Sequence, residues 1–155
     1  MQSSATISGD NVMSTKMNLP RILAGGLLAG LVMNVGEGVL HAVILANESQ
    51  LLYENLHVPL PEAASNISFL VAATFLLGIS AVWVYAAIRP RFGAGPRTAV
   101  IAGLLVWGLA HVWSGFYLSH GYAGIIPANL AWLPVLWGLF EAPLATLAGA
   151  ALYKE

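Results

Sequence analysis

Four long apolar stretches divide the chain, at about residues 22–46, 67–88, 98–118 and 130–152. A bilayer core about 30 Å thick is crossed by roughly 20 predominantly apolar residues in a helix. The pattern therefore predicts an all-α protein, a four-helix transmembrane bundle occupying residues 21–155. The joints are polar or turn-rich: "NESQLLYENLHVPLPEAASN", "RPRFGAGPR" and "SHGYAGIIPAN". The polar start, residues 1–20, reads as a disordered tail, with Met17 offering a second start. A cleaved signal peptide is the weaker reading of the first stretch, because it is longer than such a core and contains Glu37.

Basic residues set the orientation. Lys16 and Arg21 precede the first span, Arg89, Arg91 and Arg97 occupy the second joint, and Lys154 follows the fourth span. The outer joints hold no Lys or Arg, and the first carries Glu48, Glu54 and Glu62. All six basic residues thus fall on one side, which places both termini in the cytoplasm and predicts two helical hairpins. Arg89, Arg91 and Arg97 suit phosphate headgroups. Tyr85 and Tyr153 on the inner side, and Tyr117, Tyr122 and Trp132 on the outer, are expected as interfacial anchors.

Glycine spacing suggests where helices meet. Gly26 and Gly30 stand four apart beside Ala29, a spacing that lets another backbone approach. "ILAGGLLAGL" (22–31) aligns without gaps on "VIAGLLVWGL" (100–109), as duplicated hairpins would, although the second and fourth spans do not match. "RPRFGAGPR" is expected as a tight turn that breaks the helix.

Composition narrows the function classes. The chain is 58% hydrophobic and 8% charged, where soluble domains carry about 25% charged residues. A net charge of −1 without a basic patch gives no nucleic-acid interface. The absence of cysteine removes disulfides, thiolate metal sites and cysteine nucleophiles. No nucleophile–base set, phosphate loop or dinucleotide fingerprint appears, so the balance leans away from an enzyme.

The polar residues inside the spans are the candidate chemistry. Asn34, Glu37 and His41 follow i, i+3, i+7 spacing and form one stripe, with Gly36 and Gly38 beside the glutamate. The third span carries His111 and Ser114, the fourth Glu141, and the second Thr74 and Ser80. At 1.5 Å per residue Glu37 lies about 24 Å above Arg21, and His111 about 21 Å above Arg97. Glu141 lies about 20 Å from Lys154 and Thr74 about 22 Å from Arg89, so four helices place polar groups at one level. A charged residue at the membrane centre costs about 2.5–3.5 kcal/mol on insertion scales. These groups are therefore expected to face the bundle interior.

Two readings follow. In the first, the protein is a non-enzymatic accessory or structural component, in which Glu37 and Glu141 hydrogen-bond with His111, Asn34 and Thr74 to fix helix register. In the second, the same layer binds a metal or protons. Glu37, His41, His111 and Glu141 are ligand types used by zinc, iron or manganese, although the Glu-x-x-His motif of di-iron bundles is absent. Haem fits poorly, since His41 and His111 differ in height by about 9 Å. His57 and His120 are expected as loop residues, and "ESQLLYENLH" as a modestly amphipathic surface segment. Besides the lipid bilayer, a second copy or a larger membrane complex is the expected partner.

The "YAAIRPRFGAGPRTAVIAGL" turn and the "WGLFEAPLATLAGAALYKE" end resemble a family of small uncharacterised bacterial four-helix integral membrane proteins. The resemblance covers nearly all of the chain from Met17 onward. It implies a bacterial inner membrane, four spans and this topology, and it implies no substrate, cofactor or catalytic residue.

Overall fold

The computed structural model describes residues 17–59 and 63–154, and every secondary-structure element within them is helical. Helix α1 (Leu19–Val39) runs on through a wide π turn, Leu40–Ile44, as one apolar span of 26 residues. Helix α2 (Ala46–Asn55) is the short outer segment and buries no residue. Helix α3 (Ala63–Phe92) contains the second span, Ile67–Phe92. The third span, Pro96–Gly121, comprises α4 (Pro96–Trp107), a π turn at Gly108–Val112, α5 (Trp113–Phe116) and a second π turn at Tyr117–Gly121. Helix α6 (Ala128–Leu152) is the fourth. Four membrane-length apolar helices make this an integral membrane protein.

Two expectations change at the helix ends. Residues 1–16 of the expected tail lie outside the described residues, and so do Lys16 and Glu62. The tail does not extend to residue 20, because α1 starts at Leu19. The Asn18 side chain accepts the Arg21 N–H at 3.3 Å, and Pro20 sits in the first turn, where its missing N–H costs nothing. The arginine-rich turn is shorter than expected. Helix α3 continues through Pro90, and the reversal is confined to Gly93 (φ 85°) and Gly95 (φ 136°), a backbone region open to glycine. The Thr98 hydroxyl donates to Gly93 O at 2.7 Å and ties off the end of α3.

The helices form a ring in which α1 packs on α3 and α6, and α4 on α3 and α6. Half of the apolar stretch of α6 is buried, against 22%, 17% and 28% for the other spans, so α6 is the most enclosed helix of the ring. Small residues allow this. Gly30 and Gly78 bring the backbones of α1 and α3 together, and a Cβ at Gly26 would lie 2.5 Å from Ile79 Cα. The aligned glycines Gly25 and Gly103 both admit the α6 backbone, at Gly149 and Pro143. On the opposite face of α1, Leu23, Leu27, Leu31 and Val35 are more than half exposed. A helix with small residues inward and leucines outward is suited to lipid, where packing rather than burial from water drives association.

The inner tyrosines are not surface anchors. Tyr85 and Tyr153 are each 4% exposed and meet edge to face with centroids 6.0 Å apart. Their hydroxyls accept backbone N–H groups from Gly95 (3.3 Å) and Asn18 (3.4 Å), which holds the turn and the start of α1 to the bundle. Arg89 lies over the Tyr153 ring at 5.5 Å, while Arg91 and Arg97 are exposed beside it. Arg21 donates to Leu152 O at 3.3 Å, so the ends of α1, α3 and α6 meet on the arginine-bearing side. At the far end Tyr117 and Tyr122 stay exposed and pair with each other, and Trp132 packs on Phe116.

Candidate intramembrane metal centre

Glu37 leaves α1 just before its π turn, and its carboxylate lies between two histidines. Glu37 Oε2 is 3.2 Å from His41 Nε2, one turn along the same helix. Glu37 Oε1 is 3.6 Å from His111 Nε2 of the third span. One carboxylate thus bridges the height difference between His41 and His111, and both rings turn to it rather than to each other as an axial pair would.

Glu141 reaches the same place from α6. One donor atom from each of Glu37, His111 and Glu141 lies within 4.8 Å of the others. Glu141 is 8% exposed. Its Oε1 accepts the Trp137 indole N–H at 3.3 Å, from one turn earlier on α6. Three helices far apart in sequence therefore converge on one point inside the membrane.

Glycines make room for this convergence. A Cβ at Gly36 would collide with Glu141 Oε1 and stand 2.9 Å from its Cδ. A Cβ at Gly138 would stand 2.5 Å from His111 Cδ2. Glu141 and His111 each cross a helix seam at a position where the facing helix has no side chain. The His111 Nδ1 atom is buried and has no hydrogen-bond partner among the described residues. Packing on Gly138, rather than an outer hydrogen bond, holds the ring.

The two histidines near Glu37 both lie in π turns, His41 in Leu40–Ile44 and His111 in Gly108–Val112. A π turn inserts an extra residue into the helical register and often occurs at functional sites. It has no reliable residue signature, so hydrophobic patterning missed it.

The remaining polar residues go elsewhere. The Asn34 amide donates to Gly30 O at 2.8 Å and across the seam to Val71 O at 3.4 Å. Thr74 donates to Leu70 O at 3.0 Å, Ser80 to Leu76 O at 2.8 Å, and Ser114 to His111 O at 2.9 Å. Asn34 and Thr74 thus do not donate to the carboxylates, as a closed structural network would require. His57 is a loop residue with φ 54°. His120 lies on the last π turn of the third span, beyond the expected loop boundary, and bonds Ser119 and Phe116 O of its own helix.

No family model, curated protein or solved structure matches this chain. The fold and the cluster define the class: a four-helix integral membrane protein with Glu, His and Glu converging inside the bundle.

Proposed function

We propose that the protein binds one divalent transition-metal ion within the membrane, held by Glu37, His111 and Glu141. The observation that carries this reading is the approach of two carboxylates and an imidazole from three helices to within 4.8 Å. Two ionised carboxylates at that separation repel by roughly 3 kcal/mol at an effective dielectric of about 20, and more in a drier medium. A cation between them removes the cost. One imidazole with two carboxylates is a donor set that zinc, iron and manganese accept. His41 on Glu37 and Trp137 on Glu141 would serve as the outer partners that orient ligating carboxylates. The bound ion would supply Lewis acidity or, if iron, one-electron chemistry.

Placement in a bacterial inner membrane with cytoplasmic termini belongs to the same proposal. It is supported by the gathering of arginines at the end where α1 begins and α6 stops.

A second reading, proton handling by the same groups, draws on a gradient of exposure. The side chains of His41, Glu37 and His111 are 57%, 28% and 11% exposed, a descending path into the bundle. One experiment separates the two. Protein purified in mild detergent without added metal is expected to carry about one transition-metal ion per chain by elemental analysis. Glu37→Gln and Glu141→Gln should each lose it while remaining folded. A folded wild-type protein that holds no metal, and takes up none when offered zinc, manganese or iron, overturns the metal reading and leaves the proton reading.

A further inference from the structure

Beyond their glycine contact, α1 and α3 enclose a groove of about 450 Å³. Asn34, Glu37, Gly38, His41 and Ala42 line one wall; Ile67, Leu70, Val71 and Thr74 line the other. Both sets follow helical i, i+3, i+4, i+7 spacing, so the groove runs along the seam between facing stripes. Ile67, Leu70 and Val71 are exposed at its rim, on the membrane-facing surface of the bundle. The volume falls in the range of small-molecule sites.

Three of the four polar side chains in this groove, Asn34, Thr74 and Glu37, have one character. The NH₂ of Asn34 is engaged by two backbone carbonyls, which turns its carbonyl oxygen away from them. The Thr74 proton is spent on Leu70 O, so its oxygen is left to accept. Glu37 contributes carboxylate oxygens, and His41 Nε2 is turned to that same carboxylate. The wall presents acceptors, and a complementary ligand must bring donors. Since the Glu37 oxygens already face His41 and His111, and the proposed ion lies on the Glu141 side of that carboxylate, a neutral donor suits the groove better than a second cation.

We propose that this groove binds a membrane-dissolved amphiphile whose head carries a hydrogen-bond-donating hydroxyl, of the phenol or hydroquinone type. The apolar body lies against Ile67, Leu70 and Val71, and the hydroxyl reaches Thr74, Asn34 and Glu37. The ligand approaches sideways from the bilayer. This site adjoins the proposed metal centre through Glu37 but does not require the metal, because Glu141 and His111 are not part of the groove.

Gly38 provides the means of testing it. Gly38 lines the groove and a Cβ there meets nothing within 4 Å, so a Gly38→Leu side chain starts in open space and is expected to occupy the groove. The probe is 4-hexylphenol, compared with its methyl ether, on full-length protein in lipid nanodiscs, with empty nanodiscs subtracted. The expected result is saturable binding of one phenol per chain, at least tenfold tighter than the ether. The preference should disappear in Asn34→Leu/Thr74→Val, and binding should disappear in Gly38→Leu, with thermal unfolding confirming that each variant is folded. Glu141→Gln, in which the metal centre is broken, should still bind the phenol, so failure of the metal reading is distinguishable. Equal binding of phenol and ether would mean that an acyl chain simply fills the groove, and it overturns the proposal. So does the absence of saturable binding, or binding that survives Gly38→Leu.

Discussion

The Glu141 carboxylate of α6 rests against the Cα of Gly36 in α1, at a position where any side chain would collide with it. The absence of one methyl group on α1 thus lets a carboxylate from α6 stand beside Glu37. This contact belongs to the site more than to the fold, because the atom that a Cβ would strike is the mobile end of a long side chain.

Gly36→Ala should therefore leave the protein folded and displace the Glu141 carboxylate. Metal affinity is expected to fall roughly 10- to 100-fold, as when the surroundings of other metal ligands are altered. Competition with a chelator measures it. Gly38→Ala, two residues on, should leave affinity unchanged, since its Cβ meets nothing.

Gly138→Ala should behave differently, because the His111 ring is flat and rigid and its Cδ2, Cγ and Nε2 all lie within 2.8 Å of the new Cβ. Overpacking of this kind costs about 1–3 kcal/mol. A lowered thermal midpoint in detergent and loss of metal are both expected. Gly108→Ala, where nothing lies within 4 Å, is the control and should not destabilise.

At the α1–α3 crossing, the Cβ of a Gly78→Ala variant would meet the Gly30 backbone, with its Cα 2.6 Å away. Backbone cannot rotate aside as a side chain can. The helices must separate, at a cost of about 1–3 kcal/mol. Unfolding should shift to lower temperature, with metal affinity per folded molecule largely retained because the cluster lies on the seams of α1 and the third span with α6.

Metal retention should weaken as pH falls. Histidine must be neutral and glutamate ionised to ligate, so binding releases protons and acid competes with the metal. Dialysis against buffers of decreasing pH, followed by elemental analysis, should show occupancy lost towards the acid side and restored when metal and neutral pH return. Occupancy independent of pH would argue against a His- and carboxylate-ligated ion.

Because the chain has no native cysteine, single introduced cysteines report topology directly. Ala94, in the turn between α3 and α4, and Ala123, between the third span and α6, are both exposed. In oriented membrane vesicles, a membrane-impermeant thiol reagent should label Ala94→Cys only from the cytoplasmic side and Ala123→Cys only from the other. Labelling of both from one side would refute the four-span topology.

Much of this protein was legible without its tertiary structure. Lipid imposes a local rule, since an apolar run of about 20 residues must become a helix that satisfies its own backbone. Span number therefore followed from Ile22 to Leu152 read in order. The shared level of Glu37, His111 and Glu141 followed as well, because a constant rise per residue converts sequence distance into depth. Gly26 and Gly30 marked a close approach for a similarly local reason, the lack of a side chain.

Rotation about each helix axis was decided only by packing. Asn34 and Glu37 are three residues apart on α1, yet the amide turns to the α3 backbone while the carboxylate meets His111. Thr74 sits at the right depth and still faces the α1–α3 groove. The π turns at Leu40–Ile44 and Gly108–Val112 add residues to the register and re-aim the histidines they contain. Tyr85 and Tyr153 read as membrane-surface anchors until the ends of α1, α3 and α6 closed over them. Depth in the membrane depends on distance along one chain segment, and the sequence by itself determined it. Which neighbour a side chain meets depends on helices that approach from elsewhere in the chain, so that was left to the tertiary structure.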